Sequence, residues 1–294
     1  FGIIRTGAWV VPLNFRFTSD DIEYCCDVAE PDVFVFGEEF GERVGPIREE
    51  LSSVKHFICA GEKVPPYAES FSQVLAGSPP TPPGVSIAFD DPCGLYFTSG
   101  TTGQPKPILL THLNMANACI TENMHHFQTK KDIFILIPPL YHTGAKMHWL
   151  GSIIVGGAAA ILKGISPESI LEAVREEGGT IVWPLVPHPK NIQVKLVSCE
   201  LMLKHYKIRQ SRLVHIGAQP VPPSLITHWK QYFPQMAYDT TFGLSESTGP
   251  NCVHLGIENI HKVGAIGRPG FNWETRIADE DRKDVGQGQT GELL

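Results

Sequence analysis

The 294-residue chain lacks any apolar run long enough to cross a bilayer; its longest, around Leu150 to Leu162, is short and broken by glycines. It also lacks a surplus of basic residues. The 24 Lys and Arg stand against 31 Asp and Glu, a net charge of -7 at pH 7, which argues against nucleic acid as the main partner because phosphate backbones are held by excess cations. No C-x-x-C pair occurs. The seven cysteines are odd in number and include the adjacent Cys25 and Cys26, a pattern that fits reduced thiols in a cytoplasm better than a disulfide framework. No stretch reads as a signal peptide, and peripheral membrane attachment stays open. Gly-Lys-Ser/Thr is missing as well, which excludes the common P-loop of kinases and GTPases. With 42% hydrophobic and 19% charged residues, this is a globular composition, long enough for two subdomains with their own cores.

What is present centres on Phe97-Thr98-Ser99-Gly100-Thr101-Thr102-Gly103-Gln104-Pro105-Lys106. Small side chains leave backbone amides exposed here, Gly100 and Gly103 permit positive φ, the hydroxyls add donors, and Lys106 supplies a counter-charge for a polyphosphate. Cys93 to Phe97 reads as a strand before this loop. Thr111-His112-Leu113-Asn114 can cap a helix running to about Phe127, so the expected order is strand, loop, helix.

Elsewhere short apolar runs alternate with helical patterns, which implies parallel sheet. Thr18 to Tyr24 reads as a capped helix start; Asp32–Phe36 and Val54–Ile58 read as strands separated by a helical Glu38 to Ser52. Residues 61 to 92 are so rich in proline that no regular element is expected; a proline-rich partner ligand is the functional alternative. Asp132 to Ile137 is apolar enough for a strand covered on both faces, and it leads into Pro138-Pro139-Leu140-Tyr141-His142-Thr143-Gly144. A histidine just past the carboxyl end of such a strand lies where open α/β sheets bind ligands. A helix from Lys146 to Val155, a strand at Ala158–Leu162, a Ser166-Pro167 helix start and a β run from Thr180 complete a second set of units. Arg212 to Pro220 reads as a strand opening onto Gly217-Ala218-Gln219-Pro220, whose small residues let a flat ring lie against the backbone. Met236 to Glu246 joins a strand to Phe242-Gly243-Leu244-Ser245-Glu246, where Glu246 offers a hard oxygen for magnesium. His254 and Glu258 can share a helical face and His125-His126 are adjacent, but neither set has a third ligand at sensible spacing, so structural zinc is not expected.

The loop from Thr98 closely resembles the phosphate-loop signature of the adenylate-forming (AMP-binding) superfamily: Thr-Ser-Gly-Thr-Thr-Gly, any residue, Pro-Lys-Gly. Pro107 replaces the last glycine and removes one amide from the loop's exit. Gly7 to Asn14 resembles an early superfamily motif, and Pro-Leu-Tyr-His-Thr-Gly resembles the acyl-CoA synthetase motif whose histidine lies beside the substrate carboxylate. The segment ending in Glu246 is similar to Tyr-Gly-x-Thr-Glu, with Phe242 for Tyr and Ser245 for Thr.

The resemblance implies two α/β subdomains with mostly parallel sheets flanked by helices, at 1–127 and 128–262, with the nucleotide at their junction. The start of a small distorted β-barrel would follow at 263–294. It implies ATP or AMP contacts at Thr98, Ser99, Gly100, Thr101, Thr102, Gly103 and Lys106, at Gly217, Ala218, Gln219 and Pro220, and at Asp239, Thr240, Thr241, Phe242, Gly243, Leu244 and Ser245. His142, Thr143, Met147 and Gly243 would line an acyl pocket; Thr98 and Glu246 would hold Mg²⁺; Lys106, His142 and Glu246 would be the catalytic set. The implied reaction is ATP-dependent activation of a carboxylic acid to an acyl-adenylate, then transfer to CoA. A carrier-protein-loading adenylation domain and a non-catalytic nucleotide-binding scaffold are the alternatives. The chain opens at Phe1 and closes on Gly291-Glu292-Leu293-Leu294, which reads as a fragment. A ribose-binding aspartate and a C-terminal lid domain with a catalytic lysine would then follow Leu294, and the piece alone would bind nucleotide weakly.

Overall fold

In the computed structural model, a single turn of helix, α1 (Gly2–Arg5), precedes α2 (Ser19–Ala29), whose start is set by a capping box. The Asp21 backbone N–H donates to the Thr18 hydroxyl and the Asp21 carboxylate accepts the Thr18 N–H at 2.9 Å, so two otherwise orphaned donors are satisfied reciprocally. The structure describes residues 1–98, 104–162, 166–183, 210–217, 221–256, 261–262 and 265–294. Ser99 to Gly103, Pro184 to Pro187, Ala218 to Pro220 and Glu258 therefore lie outside the described residues.

The chain divides into two units, Phe1–Leu113 and Asn114–Leu294, a boundary earlier than residue 127. In the first unit β1 (Val33–Gly37), β2 (His56–Ala60) and β3 (Glu69–Ser70) form a parallel sheet in that order. The helix expected between β1 and β2 is broken into α3 (Gly41–Val44) and flanking 3-10 turns, because Gly41, Gly45 and Pro46 interrupt it. Two further expectations fail. Residues 61 to 92 do contain regular structure: β3 and then α4 (Phe71–Gly77) occupy the proline-free stretch between Pro66 and Pro79, which a count over the whole window conceals. The loop after β4 (Pro92–Thr98) does not lead straight into the helix expected from Thr111 to about Phe127, which forms where expected but only after a further strand. It returns as β5 (Lys106–Thr111), antiparallel to β4 with Thr98 opposite Lys106 and Phe97 opposite Pro107, a two-stranded ladder being a place where a proline in a strand is tolerated.

In the second unit, α5 (His112–His126), nearly all of it in this unit, ends at Phe127 with φ 48°. A seven-stranded sheet follows. Its strands are β6 (Ile133–Leu136), β7 (Ala158–Ile161), β8 (Ile181–Trp183), β9 (Leu213–His215), β10 (Ala237–Gly243), β11 (Pro250–Leu255) and β12 (Arg268–Pro269), in the order β12-β11-β10-β9-β8-β6-β7. Pairing is parallel from β7 to β10 and antiparallel at β10–β11 and β11–β12. His254 thus lies on a strand, not on a helical face. A separate antiparallel pair, β13 (Ile277–Ala278) with β14 (Glu292–Leu293), follows.

Alternation sorts the sheet's side chains onto two faces. Ile135 and Val182 pack with Ile170, Leu171 and Val174 of α7 (Pro167–Glu176), while Val214 and Tyr238 pack with Ile226 of α8 (Pro223–Tyr232). Phe134, Leu136, Ile181, Trp183 and Leu213 form a cluster on the opposite face, joined by Trp149 of α6 (Thr143–Ile154). Fully burying a residue such as Ile135 or Ile181 stabilises the fold by about 1.5–3 kcal/mol.

The amino ends of three strands are tied by Asp132, whose side chain is 5% exposed. It accepts from Arg212 Nε at 2.7 Å and Nη2 at 3.0 Å, from the Thr180 hydroxyl at 2.8 Å and from the Thr129 N–H at 2.8 Å. Burial alone would raise its pKa, but Arg212, the Thr129 N–H and Thr180 outweigh it and bring the carboxyl to about 2. The folded pKa is below the unfolded one, so this stabilisation is complete above about pH 4 and is lost as pH falls toward 2. Arg212→Ala should destabilise by about 2 kcal/mol near neutral pH, less than for a fully buried pair because Arg212 is partly exposed. Urea titrations from pH 7 down to pH 2 should show the gap between wild type and variant narrowing below pH 4.

Candidate active site

In the first unit the two described ends of the hydroxyl- and glycine-rich loop sit side by side. Thr98 is half-buried at the end of β4, and Lys106 is exposed opposite it at the start of β5. The hairpin therefore presents the loop's cation on its rim, next to a hydroxyl.

In the second unit the segments singled out by sequence gather at the carboxyl ends of the parallel strands, the end where open sheets bind ligands. Helix α6 begins just past β6. His142 caps it, with the Gly144 N–H donating to Nδ1 at 3.2 Å. A neutral ring accepting at Nδ1 carries its proton on Nε2 and can donate from there. Burial, and then the charge of Lys146, push the His142 pKa down, which favours that neutral form. The ring stands edge-on to Trp183 of β8 at 6.0 Å between centroids. Gly144 has no room for a side chain, because an added Cβ would overlap the Trp183 ring; the glycine is what lets the first turn of α6 close on β8.

Beyond β10 the chain turns through residues 244 to 249 and returns as β11. Ser247 pins this turn: its hydroxyl lies 2.8 Å from the Leu244 carbonyl, 3.1 Å from the Leu244 N–H and 2.7 Å from Asn251 Oδ1. The turn leaves Glu246 exposed and directs Ser245 inward, where its hydroxyl meets that of Thr143 at 3.3 Å. Two motifs 102 positions apart are thereby joined by a side-chain hydrogen bond. Ser247 was not singled out in the sequence, although a serine next to a Gly-x-Ser-Glu turn is a common local cap.

The remaining expected residues divide. Gly217 follows β9 and lies beside Thr241, whose hydroxyl would be 3.6 Å from an added Cβ. Thr240, Thr241 and Phe242 lie on β10 opposite His254, Val253 and Cys252, with Phe242 half-buried and Gly243 and Leu244 exposed. Met147 packs in a core cluster with Ala118 and Cys119, next to Gly249. Asp239 is not grouped with these. Its carboxylate is buried against His215 Nδ1 at 2.7 Å and His126 Nε2 at 3.2 Å. Burial would raise its pKa, but the two imidazoles outweigh it and hold the carboxyl well below its usual range.

For magnesium, the chemistry of the donor in the second unit fits: Glu246 is an exposed hard carboxylate next in sequence to the Ser245 hydroxyl.

Comparison with known proteins settles the family. The model for the AMP-binding enzymes matches residues 1–294. The chain belongs to the AMP-binding enzyme family. It is 25% identical over 303 residues to the feruloyl-CoA synthase of Amycolatopsis sp, covering 100% of this chain and 56% of that protein. It is 30% identical over 216 residues to the 4-coumarate--CoA ligase-like 9 of Arabidopsis thaliana, covering 71% of this chain and 37% of that protein. Among solved structures, the N-terminal domain of FACL13 from Mycobacterium tuberculosis superposes with a TM-score of 0.87 at 20% identity, over 98% of this chain and 69% of that one, a likeness of fold. The chain spans about half the length of the feruloyl-CoA synthase it matches. No helix among the described residues is long and apolar enough to cross a membrane.

Proposed function

We propose that the protein containing this chain activates a carboxylic acid with ATP and passes it to CoA, as an AMP-forming acid-thiol ligase. The observation that carries this reading is the hydrogen bond between Thr143 and Ser245, which joins the His142 motif to the Glu246 motif at the ligand-binding end of the sheet. The named relatives, a feruloyl-CoA synthase and a 4-coumarate--CoA ligase-like protein, support an acid and CoA as substrates.

In the proposed reaction the substrate carboxylate attacks the α-phosphorus of ATP, pyrophosphate leaves, and the thiol of CoA then displaces AMP. The substrate supplies the nucleophile, so the protein's task is to position two anions that repel each other and to neutralise them. The loop from Thr98 through Ser99, Gly100, Thr101, Thr102 and Gly103 to Lys106 would take the β- and γ-phosphates. Ser245 would lie near the α-phosphate. Gly217, Ala218, Gln219, Pro220 and, on β10, Thr240, Thr241 and Phe242 would take adenine. Glu246 and Thr98 would hold Mg²⁺, which when bound lowers the repulsion between carboxylate and phosphates. His142 would donate from Nε2 to the carboxylate, with Thr143 and Gly243 beside it and Met147 behind. A C-terminal lid and a cytoplasmic location belong to the same proposal.

The thiol acceptor distinguishes this ligase from a carrier-loading domain. With the complete protein, acyl-CoA should form from acid, ATP and CoA; thioester appearing only on a phosphopantetheinyl carrier would overturn the CoA assignment. His142→Ala should raise the KM for the acid about 10-fold, the size expected for one lost charge-assisted hydrogen bond, with the KM for ATP unchanged. Equal rises in both constants would contradict the placement of His142.

A further inference from the structure

The sheet face covered by α5 and α6 buries five ionisable side chains among Phe134, Leu136 and Trp183. They are Glu122 and His126 on α5, His148 on α6, His215 on β9 and Asp239 on β10, none more than 1% exposed. Their spacing is that of ligands, not of a finished hydrogen-bond network. His126 Nε2 lies 3.2 Å from Glu122 Oε2, 3.2 Å from Asp239 Oδ2 and 3.3 Å from His215 Nδ1, although one ring nitrogen can donate a single proton to a single acceptor. Both oxygens of Glu122, both nitrogens of His148 and Nδ1 of His126 have no hydrogen-bond partner. Asp239 Oδ1 meets His215 Nδ1 at 2.7 Å, while Asp239 Oδ2 has no hydrogen-bond partner.

Ligand atoms of Glu122, His126 and His148 all lie within 4.8 Å of one another. A tetrahedral ion bonded at about 2.0–2.1 Å separates its ligands by about 3.3 Å, close to the carboxylate–imidazole distance found here. Glu122 and Asp239 put two carboxyl groups into the cluster, and a divalent cation favours their ionised form. Magnesium suits the site poorly, since it prefers an octahedron of oxygens and retains water. Two imidazoles and a carboxylate suit zinc or a neighbouring first-row ion.

We propose that Glu122, His126 and His148 bind one divalent transition-metal ion of the zinc type. The ion cross-links α5 to α6 and so steadies the helix whose first turn carries His142 and Thr143. This site is separate from any magnesium on ATP and does not depend on the proposed ligase activity.

The test uses the complete protein, stripped with a chelator and dialysed. Stripped wild type should take up one equivalent of Zn²⁺ or Co²⁺ per chain by elemental analysis after gel filtration. Co²⁺ should give the visible bands of a four-coordinate ion, and the thermal midpoint should rise with Zn²⁺ but not with Mg²⁺. Glu122→Gln and His148→Gln should each lower zinc affinity by more than about 100-fold, while His125→Gln binds as wild type does. If a variant fails to fold by circular dichroism, the wild-type uptake and the Co²⁺ spectrum still decide. Uptake well below one equivalent by folded wild type, a Co²⁺ spectrum like that of the aqueous ion, or unchanged binding in Glu122→Gln and His148→Gln overturns the proposal. So does loss of metal only in His215 or Asp239 variants.

Discussion

Replacing Glu246 by Gln in the complete protein should lower acid-dependent ATP–pyrophosphate exchange about 10²–10³-fold, or about 2.7–4 kcal/mol of transition-state stabilisation. The substitution keeps the side chain's shape and removes one charge at an exposed turn position, so the thermal midpoint should not move. The loss should be largest in kcat, because a metal ligand assists the phosphates most where charge is redistributed. Rates within threefold of wild type would mean that Glu246 is an ordinary solvated carboxylate.

Gly243→Ala should destabilise the fold strongly. An added Cβ at Gly243 would overlap the Gly249 carbonyl oxygen and come within 3.0 Å of its carbon. Both are backbone atoms at the turn where the β10–β11 register shifts, so neither neighbour can rotate away. The expected loss is about 3 kcal/mol, measured by urea unfolding. Leu244→Ala, one residue on and 55% exposed, should stay within about 0.5 kcal/mol and serves as the control. Equal effects from the two variants would show that the turn can open to admit a methyl group.

The parallel core was legible because it is written locally. Ile133 to Leu136 is apolar at every position, and only a strand buried on both faces needs that. Thr18 with Asp21, and Ser166 with Pro167, announced helix starts through caps that act within one turn. Strand β5 was missed because its partner strand, not its own residues, makes it a strand: Lys106 and Pro107 look like loop until Thr98 and Phe97 lie opposite. Helix α4 was missed for the reverse reason, since prolines on either side of it dominated the count. The buried cluster was hidden more deeply. Glu122 and His126 are four apart on one helix, a visible pair, but His148, His215 and Asp239 reach them only through the crossing of sheet and helices. The meeting of Thr143 with Ser245 is likewise a product of topology, although both residues stood out singly.

Isotope exchange between pyrophosphate and ATP, run on the complete protein against a panel of aromatic and aliphatic carboxylic acids, bears on all of this at once. Label should enter ATP only when a suitable acid is present, with no CoA required, and should cease in Lys106→Ala and Glu246→Gln. A folded protein that binds ATP yet exchanges no label with any acid, or exchanges equally in both variants, would contradict the assignment of these residues to adenylation.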